Sequence, residues 1–421
     1  MERALGSDPD ESPAAKLAKL RTQFAGALSD EESLFLLADL LSVPLDPGCP
    51  RAELSAQQRK EKMLAVLLAQ GLNLAAEMPV LVIFEDVHWS DPTSLELLNL
   101  GIEHVTQARM LFVITCRPEF VPPWPERPHI TTLALKRLNK RDSSALAQRV
   151  AGHNLLPGAV TAEILTRADG VPLFITELTK GLLESGFLRE GQGRYVLTRP
   201  LPTATIPTTL RGLFLARLDR LGPAKEVAQT GAAIGREFSY DLLSRVVTLP
   251  REQLDIALVH LMQAELLARR ELEQQAVYVF THALVRDAAY AGLLRDRRIP
   301  LHAAIAHAHE ESWQGVVETQ PETLARHLTE AQHFDRAASY WLKAGRLAEQ
   351  RSALIEAIAH LQAGLAAVSE LPAGAGRDRL ELDLQLALGP CMIATQGPAA
   401  KAAVATFSRA RELCAGARRS A

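Results

Sequence analysis

The spacing of apolar positions changes several times along this chain, and each change predicts an element. From Pro13 to Ala25 and again from Glu31 to Leu41 apolar residues recur at helical spacing, and Ser55 to Ala76 repeats the pattern after the turn signals Pro44, Pro47, Gly48 and Pro50. Val80-Leu81-Val82-Ile83-Phe84 is then apolar at every position, as in a parallel strand buried on both faces. Asp91-Pro92-Thr93-Ser94 follows, an N-cap residue with proline in the first turn, and an amphipathic helix runs on through His104. Met110 to Thr115 is a second apolar strand. Strand, helix, strand is the alternation of a parallel α/β unit, yet only two or three strands are visible here, fewer than a complete sheet of this kind needs.

After Arg117-Pro118-Glu119 and a proline-rich turn (Pro122, Pro123, Pro125, Pro128), a short strand is expected at Ile130 to Leu135. Helices are expected at Asp142 to Gly152 and Pro157 to Ala168, and Gly170-Val171-Pro172 opens another to Ser185. Ile206 to about Gln275 reads as several short helices and then a β-hairpin, in which Leu266 to Leu272 and Val277 to Phe280 flank the polar turn Glu273-Gln274-Gln275. Helices with a terminal hairpin predict a winged helix. Beyond Asp287 the chain is helical and alanine-rich. Asp335-Arg336-Ala337-Ala338-Ser339-Tyr340 and Ile355-Glu356-Ala357-Ile358-Ala359-His360 are the clearest echoes of a small-residue pattern, which predicts a solenoid of the tetratricopeptide (TPR) type. The expected chain is mainly α with an incomplete α/β part over residues 1–135, a helical subdomain over 136–205, a winged-helix-like domain over 206–285 and TPR-like helical repeats over 286–421.

Composition agrees with that division. A chain of 421 residues has room for about two to four domains of roughly 100–200 residues each. Only 5% of residues are aromatic, while Ala and Leu are abundant, a balance that favours helix over sheet. The formal net charge of −3 supplies no overall attraction for nucleic acid or an anionic membrane, so neither is an expected partner. Cys49, Cys116, Cys391 and Cys414 lie far apart, without the paired spacing of a zinc site or a disulfide framework, and are expected to be reduced, partly buried thiols. Met1 to Ser12 is acidic and polar, unlike a signal peptide. No run reaches the roughly 20 apolar residues of a membrane helix. A cytoplasmic location is the expectation.

The candidate chemistry lies at the end of the first strand. Glu85 and Asp86 directly follow the apolar run, and the carboxyl ends of parallel strands are where ligands of open α/β sheets bind. An apolar strand ending in two carboxylates reads as a Walker B motif, which carries magnesium in nucleotide hydrolases. The 421 residues contain no G-x-x-x-x-G-K-[ST] loop, whose backbone N–H groups and lysine would cradle the phosphates. Half of a nucleotide site is legible.

Several segments together carry a resemblance. They are His88-Trp89-Ser90-Asp91-Pro92-Thr93-Ser94-Leu95, Thr115-Cys116-Arg117-Pro118-Glu119-Phe120, Asp169-Gly170-Val171-Pro172-Leu173-Phe174 with Glu177-Leu178, Ala216-Arg217-Leu218-Asp219-Arg220-Leu221-Gly222, Gly231-Ala232-Ala233-Ile234-Gly235-Arg236-Glu237-Phe238 and Phe280-Thr281-His282-Ala283-Leu284. In these the chain resembles, over nearly its whole length, the ATPase and tetratricopeptide regulatory region of bacterial multidomain class III adenylate/guanylate cyclases, which are signal-transducing AAA-type ATPases. The resemblance implies that residues 1–135 are the C-terminal part of a P-loop NTPase sheet, that 136–205 form its helical lid, and that the phosphate loop and cyclase domain of the parent architecture lie upstream. It implies ATP and Mg2+ as cofactors of the intact parent, with none bound by this chain alone, and a protein partner on the repeats. By motif position Glu85 would coordinate magnesium once a phosphate loop is supplied, Asp86 would orient the attacking water, and Arg117 would contact the γ-phosphate. Pro172 would pack near the adenine and His282 would approach the phosphates.

Each residue also has an ordinary reading. Glu85 and Asp86 could be a solvated strand end or a capping pair, and Arg117 could pair with Glu119 or a helix terminus. Pro172 could simply start a helix, His282 could be a packed, hydrogen-bonded side chain, and Trp89 a surface-packing one. His302, His307 and His309 lack the spacing of a zinc motif, and Arg295, Arg297 and Arg298 read as a solvated helix end. Two further functions stay open beside the ATPase: a nucleotide-independent interaction module acting through the TPR-like repeats, and a winged-helix transcriptional regulator of the signal-transducing ATPase type.

Overall fold

The computed structural model describes residues 12–28, 30–41, 43, 54–152, 154–200, 206–272, 275–312 and 318–420. The chain parts into two units, one built from Met1–Thr131, Gly315–Thr329 and His333–Ala421, the other from Thr132–Gln314 with Glu330–Gln332. The turn signals Pro44, Pro47, Gly48 and Pro50, together with Cys49 and the Glu273-Gln274 turn, lie outside the described residues.

The first unit opens with α1 (Pro13–Gln23), α2 (Glu31–Leu40) and α3 (Ala56–Glu77), started by Ser12, Asp30 and Ser55, whose side chains each accept a first-turn N–H. Ser55 and Gln58 complete a reciprocal capping box. Leu20, Leu34, Leu37 and Val66 form the buried core of the three. Asp30 also meets the Lys62 ammonium at 2.6 Å. The Lys62 contact first, and then the Ser33 hydroxyl and amide, hold the Asp30 pKa down at about 2. A folded pKa below the unfolded one stabilises at every pH above the unfolded value and is lost as pH falls through the folded one. With the side chain 48% exposed, screening limits the contribution to about 0.5–1 kcal/mol. The protection of the first-turn amides of α2, taken relative to their intrinsic exchange rates at each pH, is therefore expected to fall between about pH 4 and about pH 2, the interval between the unfolded and folded pKa, and Asp30→Asn is expected to flatten that dependence.

The strands follow. β1 (Val80–Phe84) pairs in parallel with β2 (Met110–Ile114), Val80 opposite Met110 and Phe84 opposite Ile114, and α4 (Pro92–His104) crosses between them. Phe84, Phe112 and Ile114 pack with Leu98 and Ile102 of α4, and Gly101 lets the Phe112 ring come so close that a Cβ there would stand 2.9 Å from Cζ. The alternate positions Leu81, Ile83, Leu111 and Val113 are 58%, 59%, 61% and 42% exposed. One face of this parallel pair is covered and the other is open. The strand expected at Ile130 to Leu135 is absent: these residues are irregular, with Leu133 and Leu135 exposed, because no neighbouring strand offers them a hydrogen-bonding edge.

The second unit begins with α5 (Lys140–Val150), α6 (Gly158–Ala168) and α7 (Pro172–Glu184), joined by the hairpin β3 (Leu188–Glu190) and β4 (Tyr195–Leu197). Ala147, Val160, Ile164, Ile175, Leu178 and Leu182 fill their common core. Then come α8 (Leu210–Arg220), α9 (Pro223–Ile234), β5 (Glu237–Ser239), α10 (Tyr240–Val246), α11 (Arg251–Gln263), β6 (Leu267–Leu272) and β7 (Gln275–Phe280). The three strands form an antiparallel sheet in the order β5-β7-β6, the short helices and wing of a winged helix. Gly231 of α9 admits the buried Phe238 ring, which would lie 2.5 Å from any Cβ placed there. Phe238 in turn stacks on Tyr278 with ring centroids 6.0 Å apart. α12 (Ala283–Ala291) and α13 (Arg295–Ser312) pack onto the same core through Val285, Ala288, Ala289 and Ile305.

The remaining helices are α14 (Pro321–Glu330), α15 (Phe334–Gln350), α16 (Leu354–Ser369), α17 (Ala375–Gln396) and α18 (Lys401–Ser420). α15 packs on α16, α16 on α17 and α17 on α18. The echo segments beginning at Asp335 and Ile355 fall at the same place in successive helices, one residue after the starts of α15 and α16. Arg409 of α18 grips Glu381 of α17 through two hydrogen bonds of 2.6 and 3.0 Å, which holds the Glu381 carboxyl below its ordinary range against the opposing effect of burial. Among the described residues no helix is long and apolar enough to cross a membrane.

Candidate functional site

Thr115, at the end of β2, organises the loop that follows β1. Its N–H donates to the Phe84 carbonyl and its own carbonyl accepts from the Val87 N–H, both at 2.9 Å. Its Oγ1 accepts from the Asp86 N–H, also at 2.9 Å. Asp86 occupies the left-handed region at φ 55° and ψ 43°, a conformation that short polar side chains tolerate better than most. That residue turns the chain into one 3₁₀ turn, Val87–Trp89, whose Val87 side chain is buried against α4. The strand end thus presents Glu85 exposed and Asp86 half-buried. Among the described residues neither carboxylate has an ion-pair partner.

Arg117 leaves the neighbouring strand on the same side. Its guanidinium lies 5.3 Å from the centre of the Trp89 ring, within cation–π range, and among the described residues it makes no ion pair with Glu119. Trp89 is 57% exposed and also contacts the His88 ring, centroid to centroid 4.9 Å. Both ring nitrogens of His88 are shielded from solvent without a hydrogen-bond partner. Glu85 and Asp86 thus follow β1 and Arg117 follows its parallel neighbour β2, with the Arg117 guanidinium held on an indole.

Directly downstream, Asp91 caps α4, accepting from the Ser94 N–H at 2.8 Å and the Ser94 hydroxyl at 2.6 Å. Burial works against the Asp91 carboxylate, but the two Ser94 contacts and the Glu356 carboxyl outweigh it and keep its pKa below the ordinary range. Glu356, on α16, is part of the same unit. Its Oε1 accepts from the Thr93 hydroxyl at 3.2 Å and the Thr93 N–H at 3.5 Å. Neither Thr115 nor Glu356 stands out in the sequence. A threonine at a strand end is ordinary, and Glu356 is 263 positions from the residue it contacts.

Pro172 and His282 belong to the second unit. Pro172 is the first residue of α7 and exposed. The turn before it is fastened by the Arg137–Asp169 ion pair and by Gly170, whose φ of 74° and 2.3 Å clearance from the Leu138 carbonyl leave no room for a side chain. His282 is the N-cap residue of α12, exposed and without a capping side-chain bond, so it is not the packed histidine of its ordinary reading. Of the other histidines, His302 is buried with Nε2 3.0 Å from the Tyr290 hydroxyl, and His307 pairs with Glu311 at 3.2 Å. Of the arginines at the start of α13, Arg297 reaches Glu226 at 3.6 Å and Arg298 lies over the Tyr290 ring. Cys116 and Cys414 are exposed free thiols, and burial pushes the Cys391 thiol up to about 11.

No protein-family model matches the chain. An uncharacterised protein of Rhizobium meliloti (strain 1021) is 28% identical over 361 residues, an alignment that takes in 84% of this chain and 34% of that protein. The chain thus spans about a third of the length of the curated relative it matches. Among solved structures, the crystal structure of a Signal Transduction ATPase with Numerous Domains (STAND) protein with a tetratricopeptide repeat sensor from Pyrococcus horikoshii aligns with a TM-score of 0.42 and 12% identity, over 94% of this chain and 57% of that one.

Proposed function

We propose that this chain is a regulatory ATPase module with tetratricopeptide-like repeats, the ATPase portion of a multidomain adenylate/guanylate cyclase-like signalling protein. The observation that carries the reading is the half-covered parallel sheet. Parallel strands are ordinarily buried on both faces, yet Leu81, Ile83, Leu111 and Val113 line an open one, and among the described residues β1 has no neighbour on its other edge. Two unpaired carboxylates stand where such a sheet binds its ligand. Further strands and a covering helix would complete this layer and bring a phosphate-binding loop to Glu85 and Asp86.

Magnesium fits the residues present, because hard cations take carboxylate oxygens and among the described residues neither acid is engaged by a protein cation. A bound magnesium ion would neutralise phosphate charge. Glu85 would hold it, Asp86 would orient water and accept its proton, and Arg117, lifted from Trp89, would meet phosphate oxygens. The repeats would take the protein partner, as stacked helix pairs do.

The test is to translate the DNA preceding the Met1 codon in frame and assay both the 421-residue chain and the extended one for magnesium-dependent phosphate release. The shorter chain is expected to show negligible turnover. The extended chain is expected to carry a G-x-x-x-x-G-K-[ST] loop and to lose about a hundredfold in turnover on Glu85→Gln or Asp86→Asn. Turnover by the 421-residue chain that vanishes in the double variant would overturn the divided site. An upstream stop codon would instead favour the interaction module, a reading supported by the exposed Leu386, Ile393 and Val404 on the last two helices.

A further inference from the structure

The Glu356 contact has two properties that distinguish it from ordinary packing. First, it joins helix α16 to the first turn of α4, and that turn is tied to the candidate site through a short, fastened stretch. Asp91 caps the helix. Ser90 and Trp89 close the 3₁₀ turn by donating to the Val87 and Asp86 carbonyls at 3.0 and 2.9 Å, and Asp86 is pinned to Thr115. A displacement of the α4 terminus is therefore passed to the backbone of Asp86 with little slack between. Second, the contact is poorly balanced. Glu356 Oε1 has the Thr93 hydroxyl and amide as donors, but among the described residues Oε2 is shielded from solvent without a donor, and the same carboxyl group favours the ionised form of Asp91. An unmatched buried oxygen is costly. The hydrogen bonds to Thr93 and the unmatched oxygen act in opposite senses, which makes the contact less firmly held than a fully satisfied one.

We propose that Glu356 is a positioning residue that couples the helical repeats to the Glu85–Asp86 loop, holding the loop through Thr93 when α16 is seated and releasing it when α16 shifts. The functional meaning of the coupling rests on the nucleotide-site reading above, whereas the coupling itself does not. Movement of one repeat against its neighbour would reach the loop through one side chain, without any other element having to rearrange.

Hydrogen–deuterium exchange on the full chain, without nucleotide, tests this. Glu356→Ala removes both halves of the contact and is expected to speed exchange of the Val87–Leu95 amides about tenfold, with Leu354–Ser369 changing less than about twofold. Glu356→Gln keeps an acceptor for Thr93 and supplies an amide donor toward Asp91, so the same amides are expected to exchange no faster than in the unaltered chain. A side chain that only filled space would give the same Ala and Gln results, so the separation from a steric role falls to Thr93→Val, which keeps the volume at residue 93 and removes the hydroxyl donor. Thr93→Val approaches the contact from the opposite side and is expected to match Glu356→Ala, with no added effect in the double variant; it also decides the matter if Glu356→Ala fails to fold. Unchanged loop exchange in Glu356→Ala and Thr93→Val, or equal acceleration in the Ala and Gln variants, would overturn the coupling. Neither outcome bears on phosphate release by the extended chain, so failure here and failure of the ATPase reading are separate results.

Discussion

Arg217→Ala is expected to destabilise the second unit by about 3–5 kcal/mol, the cost of leaving a buried charge without its partner. Arg217 of α8 is 4% exposed. It pairs with the equally buried Glu177 of α7 and donates to Glu184 at 2.9 Å and to the Ala264 carbonyl, just before β6, at 2.8 Å. One guanidinium thus ties two helices and the entry to the wing, and its planar fork serves three directions that a lysine could not. Truncation strands the buried Glu177 carboxylate, with Lys180 at 3.7 Å as its remaining cation among the described residues. Replacing both partners with apolar residues, Glu177→Leu with Arg217→Met, is expected to recover most of the loss. Denaturant titrations of the single and double variants, followed by amide exchange in α7 and α8, check both statements. If Arg217→Ala alone costs less than about 1 kcal/mol, the pair is no more than a surface-grade contact.

Gly345→Val is expected to cost about 3 kcal/mol and to loosen the α15–α16 pair, whereas Gly389→Val should cost much less. The nominal clearances are alike: a Cβ at Gly345 would stand 2.5 Å from Leu361 Cγ, and one at Gly389 would stand 2.4 Å from Phe407 Cζ. What differs is the freedom of the obstacle. Leu361 is fully buried and has nowhere to go, while Phe407 is 39% exposed and can swing toward solvent. A well-packed interior resists added volume and a half-exposed ring does not. Thermal unfolding of the two variants, side by side, measures the contrast; equal losses would mean that backbone clearance alone sets the cost.

The glycine positions also show where the sequence was readable. The small-residue echo starting at Asp335 and Ile355 located the stacked helices because close helix approach demands Ala and Gly at fixed intervals, a constraint written locally. The same holds for β1, β2 and α4. Each is specified within a few residues, by an uninterrupted apolar run or by Asp91 followed by Pro92. The hairpin of β3 and β4 escaped notice because strands of three residues are too short to show a period, although Gly186 and Gly193, with φ of 72° and 70°, mark the turns around it. β5 is equally short and becomes a strand only by pairing with β7.

The sequence by itself determined the mainly helical character of the chain, the two apolar strands, the acid pair that follows the first of them, and the winged-helix hairpin. These depend on caps, turn residues and apolar periods, which act over one or two turns of chain. Only the tertiary structure decided that residues 130–135 are not a strand, that one face of the β1–β2 pair is bare, that Arg117 rests on Trp89 rather than on Glu119, and that Glu356 reaches Thr93. Each of these turns on which surfaces the folded chain brings together across long separations. An isolated side chain carries no record of that, since the same glutamate is a solvated charge until folding packs another helix end against it.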